Sequence, residues 1–180
     1  MNDRLKQKLK NVKLIISDVD GVLTDGSVYI GANGEEMKRF SVEDGAGVAL
    51  AKVAGLKIAL LSGRYSSATE IRGKELKIED IYNGMLNKIP AYEELKRKYN
   101  LEDSEIVYIG DGLIDIPVME KAGIPVSVKN AHPTAKETAV YVTDKSGGSG
   151  ALQETIELVL KAQNQYDDAI NKMREKVLNL

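Results

Sequence analysis

Leu14, Ile15 and Ile16 run straight into two acids, Asp18 and Asp20, with Gly21 directly behind them. A short continuous apolar run of this kind reads as a buried strand. Side chains alternate along an extended segment, so Asp18 and Asp20 point to the same side. Two carboxylates that close repel unless a divalent cation or a shared proton offsets their charge. Gly21 then permits a tight backbone turn. Taken alone, the pair reads either as a catalytic and metal site or as a strand that ends in two solvated acids. Ligands of open α/β sheets bind at the carboxyl ends of strands, so the rest of the chain decides between the two.

The same pattern of apolar run, polar stop and helix recurs. Residues 1–12 read as a short helical lead-in and 13–17 as the first strand. Asn33-Gly34 sits between strand-like segments, a hairpin signal because both residues accept positive φ; residues 27–42 are therefore a β-hairpin insertion. Asp44 is a plausible N-cap for a helix over 46–54, which Gly55 ends. Strands are predicted over 56–61, 78–82, 105–109, 123–128 and 139–143. Helices are predicted over 66–76, 88–99 and 151–163. Residues 165–180 form a helical tail with Ile170, Met173 and Val177 on one face. Ser146-Gly147-Gly148-Ser149-Gly150 reads as a flexible loop.

Several polar residues stand where strands stop and helices start. Ser62 and Gly63 offer a hydroxyl and free backbone N–H groups to an anion, or form a simple turn into a helix. Lys88 opens a helix, on the unfavourable side of the macrodipole, and matters only with an anion nearby. Asp111 follows a strand, and Asp115, one turn on, either faces it or caps a helix. Arg64 carries a planar fork that matches a carboxylate, or is a solvated arginine. His132 reads as a surface loop residue.

Composition narrows the field. At 180 residues the chain fits one domain, 1–180. Strands alternating with helices predict an α/β fold: a Rossmann-like three-layer αβα sandwich with a parallel central sheet and no large cap domain. There is no cysteine, which excludes disulfides and thiolate chemistry. The net charge of -2 gives no general attraction to nucleic acid or anionic membrane. No apolar run reaches membrane-span length, and the polar start lacks a signal-peptide core, so the expected location is cytoplasmic.

Asp18-Val19-Asp20-Gly21, Leu61-Ser62-Gly63, Lys88, and Gly110-Asp111-Gly112 with Asp115 together resemble the four motifs of the haloacid dehalogenase-like superfamily. Within it, the 18–26 run, the hairpin with Asn33-Gly34-Glu35, Asp44-Gly45, Leu61-Ser62-Gly63-Arg64 and Gly147-Gly148 resemble the 3-deoxy-D-manno-octulosonate 8-phosphate (KDO 8-phosphate) phosphatases. That family often has Gly-Asp-Asp where this chain has Gly110-Asp111-Gly112. It also has an acid and an arginine at the positions of Ser149 and Gln153.

The resemblance implies a Mg2+-dependent phosphatase in lipopolysaccharide precursor synthesis. It implies Asp18 as nucleophile and Asp20 as general acid and base. Asp18, the main-chain carbonyl of Asp20, and Asp111 would hold Mg2+. Ser62, Gly63 and Lys88 would hold the phosphate, Asp115 would orient the metal shell or Lys88, and Arg64 would take the substrate carboxylate. It also implies a homotetramer in which a neighbouring subunit helps close each site. The alternatives are a nine-carbon sugar acid 9-phosphate as substrate, or an oligomerisation domain related to those of acylneuraminate cytidylyltransferases.

Overall fold

The computed structural model describes residues 3–179. Its first half runs α1 (Asp3–Leu9), β1 (Leu14–Ser17), β2 (Tyr29–Ile30), β3 (Glu36–Met37), α2 (Val42–Ala54), β4 (Lys57–Ser62), α3 (Ser67–Glu75) and β5 (Asp80–Asn83). The second half runs α4 (Ile89–Tyr99), β6 (Ile106–Gly110), α5 (Ile116–Lys121), β7 (Ile124–Ser127), α6 (Pro133–Thr138), β8 (Tyr141–Val142), α7 (Ala151–Ala162) and α8 (Tyr166–Leu178). Met1, Asn2 and Leu180, the ends of the expected lead-in and tail, lie outside the described residues.

Six strands form one parallel sheet in the order β5-β4-β1-β6-β7-β8. β1 is central, and every position on it is buried. Leu14, Ile15 and Ile16 pack beside Ile106, Val107 and Ile109, all with zero exposure. Each such side chain stabilises the fold by roughly 1.5–3 kcal/mol. The chain leaves β1 toward β4 and β5, then crosses back to β6. Right-handed crossovers put helices reached in opposite directions on opposite faces. The packing follows suit: α2 lies on α7, while α5 lies on α4 and α6. This is the expected three-layer arrangement. The reversal falls between β1 and β6, where open sheets form their ligand crevice.

Three local readings differ from the sequence, and the tail takes one of its open forms. Ser41, not Asp44, caps α2: its hydroxyl accepts the Glu43 N–H at 3.1 Å. Asp44 turns inward instead, and its carboxylate accepts the Gln153 N–H at 3.1 Å near the start of α7. In the hairpin only Gly34 has positive φ. A five-residue loop closed by Gly31 N–H to Glu35 O (2.8 Å) replaces the two-residue turn, and the strands shrink to two residues each. The glycine-rich loop is pinned: Gly147 N–H donates to Asn130 Oδ1 (2.8 Å) and Gly148 N–H to Val22 O (2.9 Å). α8 is a separate helix packed on α2, buried at Ala169, with Val177 61% exposed, so the expected apolar face is covered only in its first turns.

Candidate active site

Because the sheet is parallel, β1, β4 and β6 deliver Asp18, Ser62 and Asp111 to one edge. Asp18 is 3% exposed, and its Oδ1 accepts the Val19 N–H at 2.6 Å. Lys88 Nζ comes to 2.9 Å from the same oxygen. The lysine, although it sits at a helix N-terminus, is 2% exposed. Its other partners are Asp115 Oδ1 at 2.6 Å and the Tyr108 hydroxyl at 3.1 Å. An ammonium has three donors, and all three are used.

Asp115 is fully engaged too. Oδ1 takes Lys88 and the Tyr108 O–H (2.6 Å), and Oδ2 takes the N–H groups of Asp111 (3.0 Å) and Gly112 (2.9 Å). A carboxylate offers about four lone-pair sites. Oxygens of Asp18, Asp111 and Asp115 lie within 4.8 Å of one another, but Asp115 has no acceptor site left for an ion. Its hydrogen bonds hold Lys88 and the Asp111 and Gly112 backbone.

The charges do not balance. Three carboxylates meet one ammonium. Burial, then the nearby Asp115 charge, hold Asp18 well above the usual carboxylate range despite Lys88. Burial and Asp115 push Asp111 up to about 7. Burial also acts against an ionised Asp115, but Lys88 and the hydrogen bonds of Tyr108 and Gly112 outweigh it, and that carboxyl sits below its ordinary value. Lys88 loses to burial and gains more from Asp18 and Asp115, so it stays charged. Asp18 and Asp111 are thus hard oxygen donors short of positive charge, a set that suits Mg2+.

Gly21 makes the crowding possible. Its φ is +89°, and a Cβ there would lie 2.1 Å from Asp111 Oδ2. The pinned glycine-rich loop backs the same turn, for a Cβ on Gly147 would lie 1.8 Å from the Gly21 carbonyl oxygen.

Asp20 does not join the acid cluster through its side chain. Lys38 Nζ lies 2.6 Å from its Oδ1 and 2.9 Å from its Oδ2. A Cβ on Gly63 would lie 2.6 Å from Ile114 Cδ1 and 3.8 Å from Lys88 Cε. The Ser62 hydroxyl donates to Arg64 O at 2.9 Å. Arg64 is paired with Glu36 of the hairpin, with 47% of its side chain still exposed. His132 is exposed, and its Nδ1 accepts the Thr134 N–H at 3.2 Å. Ser149 is exposed, and Gln153 Oε1 accepts from Lys145 (3.1 Å), which also pairs with Glu43 (2.7 Å).

Sequence reading missed Lys38, Glu36 and Tyr108. Two signals were present: Glu36 and Lys38 are two apart on a strand and share a face, and a tyrosine inside a buried run needs a hydroxyl partner. A cavity of about 1100 Å³ lies at the opposite edge, among Lys13, Lys57 and Glu105. It is open and far from these acids.

Residues 58–154 match the family described as haloacid dehalogenase-like hydrolase. The 3-deoxy-D-manno-octulosonate 8-phosphate phosphatase KdsC of Salmonella typhi is 44% identical over 162 residues, 90% of this chain and 86% of that protein. The structure of 3-deoxy-D-manno-octulosonate 8-phosphate phosphatase from Yersinia pestis superposes with a TM-score of 0.91 at 40% identity, over 93% of this chain and 90% of that one. The enzyme of that name from Moraxella catarrhalis, in complex with magnesium ion, phosphate ion and KDO, superposes with a TM-score of 0.92 at 39% identity, over 96% and 99% of the two chains.

Proposed function

The chain belongs to the haloacid dehalogenase-like hydrolases, and from that premise we propose that it is a Mg2+-dependent phosphatase that hydrolyses KDO 8-phosphate to KDO and inorganic phosphate. The observation that carries this reading is Asp18, buried at a strand's carboxyl end, held by Lys88 and flanked by Asp111. The named activity of relatives that align over nearly the whole chain supports the substrate, and so does the magnesium, phosphate and KDO bound in the Moraxella catarrhalis structure.

Asp18 attacks the phosphorus, and the bond from phosphorus to the sugar oxygen breaks. Asp20 gives that oxygen its proton. The aspartyl phosphate on Asp18 is then attacked by water, whose proton passes to Asp20, and the Asp18 carboxylate is freed. Splitting one displacement into two lowers each barrier, and a placed acid and base contributes ~10²–10⁴-fold. Asp18, Asp111 and the Asp20 carbonyl would hold Mg2+, which would supply the positive charge that lets an anionic nucleophile approach an anionic phosphate. Lys88 and Ser62 hold phosphoryl oxygens where charge develops, and Gly63 lets the backbone come close. Asp115 keeps Lys88 in place. Arg64 takes the substrate carboxylate, exchanging or sharing its contact with Glu36.

The reading extends to a homotetramer in the cytoplasm, within lipopolysaccharide precursor synthesis. A phosphorylated sugar acid does not cross membranes unaided, which fits a cytoplasmic enzyme. Val28, Tyr29, Ile30 and Met37 are apolar hairpin residues that stay 45–62% exposed, which fits burial between subunits. Mass measurement in solution tests the assembly: a tetramer is expected, and a monomer contradicts it. Phosphate release from KDO 8-phosphate, set against nine-carbon sugar acid 9-phosphates, tests the substrate. KDO 8-phosphate turns over fastest on this account. Faster release from a nine-carbon acid would retain the chemistry and replace the substrate.

A further inference from the structure

Glu36 on β3 and Lys38 just after it point inward, and Lys38 has no solvent-exposed side-chain area. Its ammonium lies within 2.9 Å of both Asp20 oxygens, 3.2 Å from the Thr69 hydroxyl on α3, and 3.8 Å from Glu36 Oε1. One nitrogen therefore ties together the loop after β1, the hairpin and α3. Withdrawing an ammonium from water costs several kcal/mol unless partners compensate, and such buried pairs add little net stability. A lysine placed this way is better explained by what it does to Asp20.

We infer that Lys38 is a positioning residue that fixes the Asp20 carboxyl in the orientation from which it protonates the leaving oxygen. Lys38 transfers no proton itself. It holds the carboxyl group whose proton goes to the sugar oxygen as the phosphorus–oxygen bond breaks. The inference rests on the acid role of Asp20 proposed above. It also gives the hairpin a task inside its own subunit, beyond any part in assembly. Thr69 is 1% exposed and braces the ammonium from the far side, so the lysine has little freedom to follow a moving partner.

The test compares two substrates in the Mg2+-loaded enzyme. KDO 8-phosphate leaves as an alkoxide that needs a proton, whereas 4-nitrophenyl phosphate leaves as a stable phenolate that does not. kcat/KM reports the first half-reaction for both. Misplacing a reacting group by about 1 Å costs on the order of 10²-fold. Lys38→Met is therefore expected to lower kcat/KM by ~10–100-fold on KDO 8-phosphate and by less than ~5-fold on 4-nitrophenyl phosphate. Lys38→Arg, which keeps a cation, is expected to recover part of the loss. Equal losses on both substrates, or no loss on either, overturn the inference. Asp20→Asn is measured alongside. If it shows the leaving-group dependence and Lys38→Met does not, only the role of Lys38 falls. If Asp20→Asn itself shows none, the acid role of Asp20 falls, and this inference with it.

Discussion

Lys88 Nζ stands 2.9 Å from Asp18 Oδ1, with the lysine side chain fully withdrawn from solvent and the aspartate side chain 5% exposed. The same ammonium serves Asp115 at 2.6 Å. A helix N-terminus repels a lysine, so the two carboxylates hold it where the helix alone would not. Lys88→Met leaves both buried acids without a cation, which costs ~3–5 kcal/mol. For a chain of this size that lowers Tm by roughly 6–20 °C. Calorimetry with and without Mg2+ checks this, with activity expected to be lost in both conditions.

Tyr108 and Asp115 complete the support of that lysine, with graded consequences. Tyr108→Phe removes one hydroxyl between two groups that still meet, and is expected to cost ~1–2 kcal/mol. Asp115→Asn is worse. A side-chain amide turns an NH2 group toward either the Lys88 and Tyr108 donors or the two backbone N–H groups, and one set loses its acceptor. Denaturant unfolding and kcat for the two variants should rank in that order.

Gly147→Ala probes the loop behind the catalytic turn. Its Cβ would fall 1.8 Å from the Gly21 carbonyl oxygen, so backbone must move. Overpacking of this kind costs ~1–3 kcal/mol, and it displaces the turn that carries Asp20. Reduced kcat together with reduced Tm is expected, although the residue carries no side chain.

Asp44 provides a pH signature away from the acid cluster. Burial raises its carboxyl to about 6, against the opposing pull of the Gln153, Gly150 and Leu152 backbone N–H groups. A folded value above the unfolded one means that the native state holds the proton longer. Stability therefore falls as pH rises from about 4 to about 6, then levels off. Asp44→Asn removes the titration and keeps an oxygen for the Gln153 N–H. Relative to the parent it should gain ~2–3 kcal/mol across that window. Denaturant midpoints at pH 4, 5, 6 and 7.5 check it; a constant difference contradicts it.

The sheet was readable because strands such as 14–17 and 106–109 are short apolar runs that stop at polar residues, a pattern set by local chemistry. The acids were readable for the same reason, since the stops are where they sit. What local pattern does not carry is pairing across the chain. That Ser41 caps α2 while Asp44 turns to α7 depends on how two helices pack. Lys38 reaching Asp20 and Arg64 reaching Glu36 depend on how the hairpin folds over the sheet edge. The glycine-rich loop reads as flexible because composition speaks for backbone freedom. Here that freedom serves a close approach to Gly21.

The most direct test of the central claim is phosphate release from KDO 8-phosphate, with and without Mg2+, for this protein and for Asp18→Asn. The account predicts release that requires Mg2+, a variant with no turnover, and a phosphorylated protein trapped by acid quench in the parent alone. Mg2+-dependent release that persists in Asp18→Asn would contradict Asp18 as the nucleophile, and no release under any condition would contradict the phosphatase reading itself.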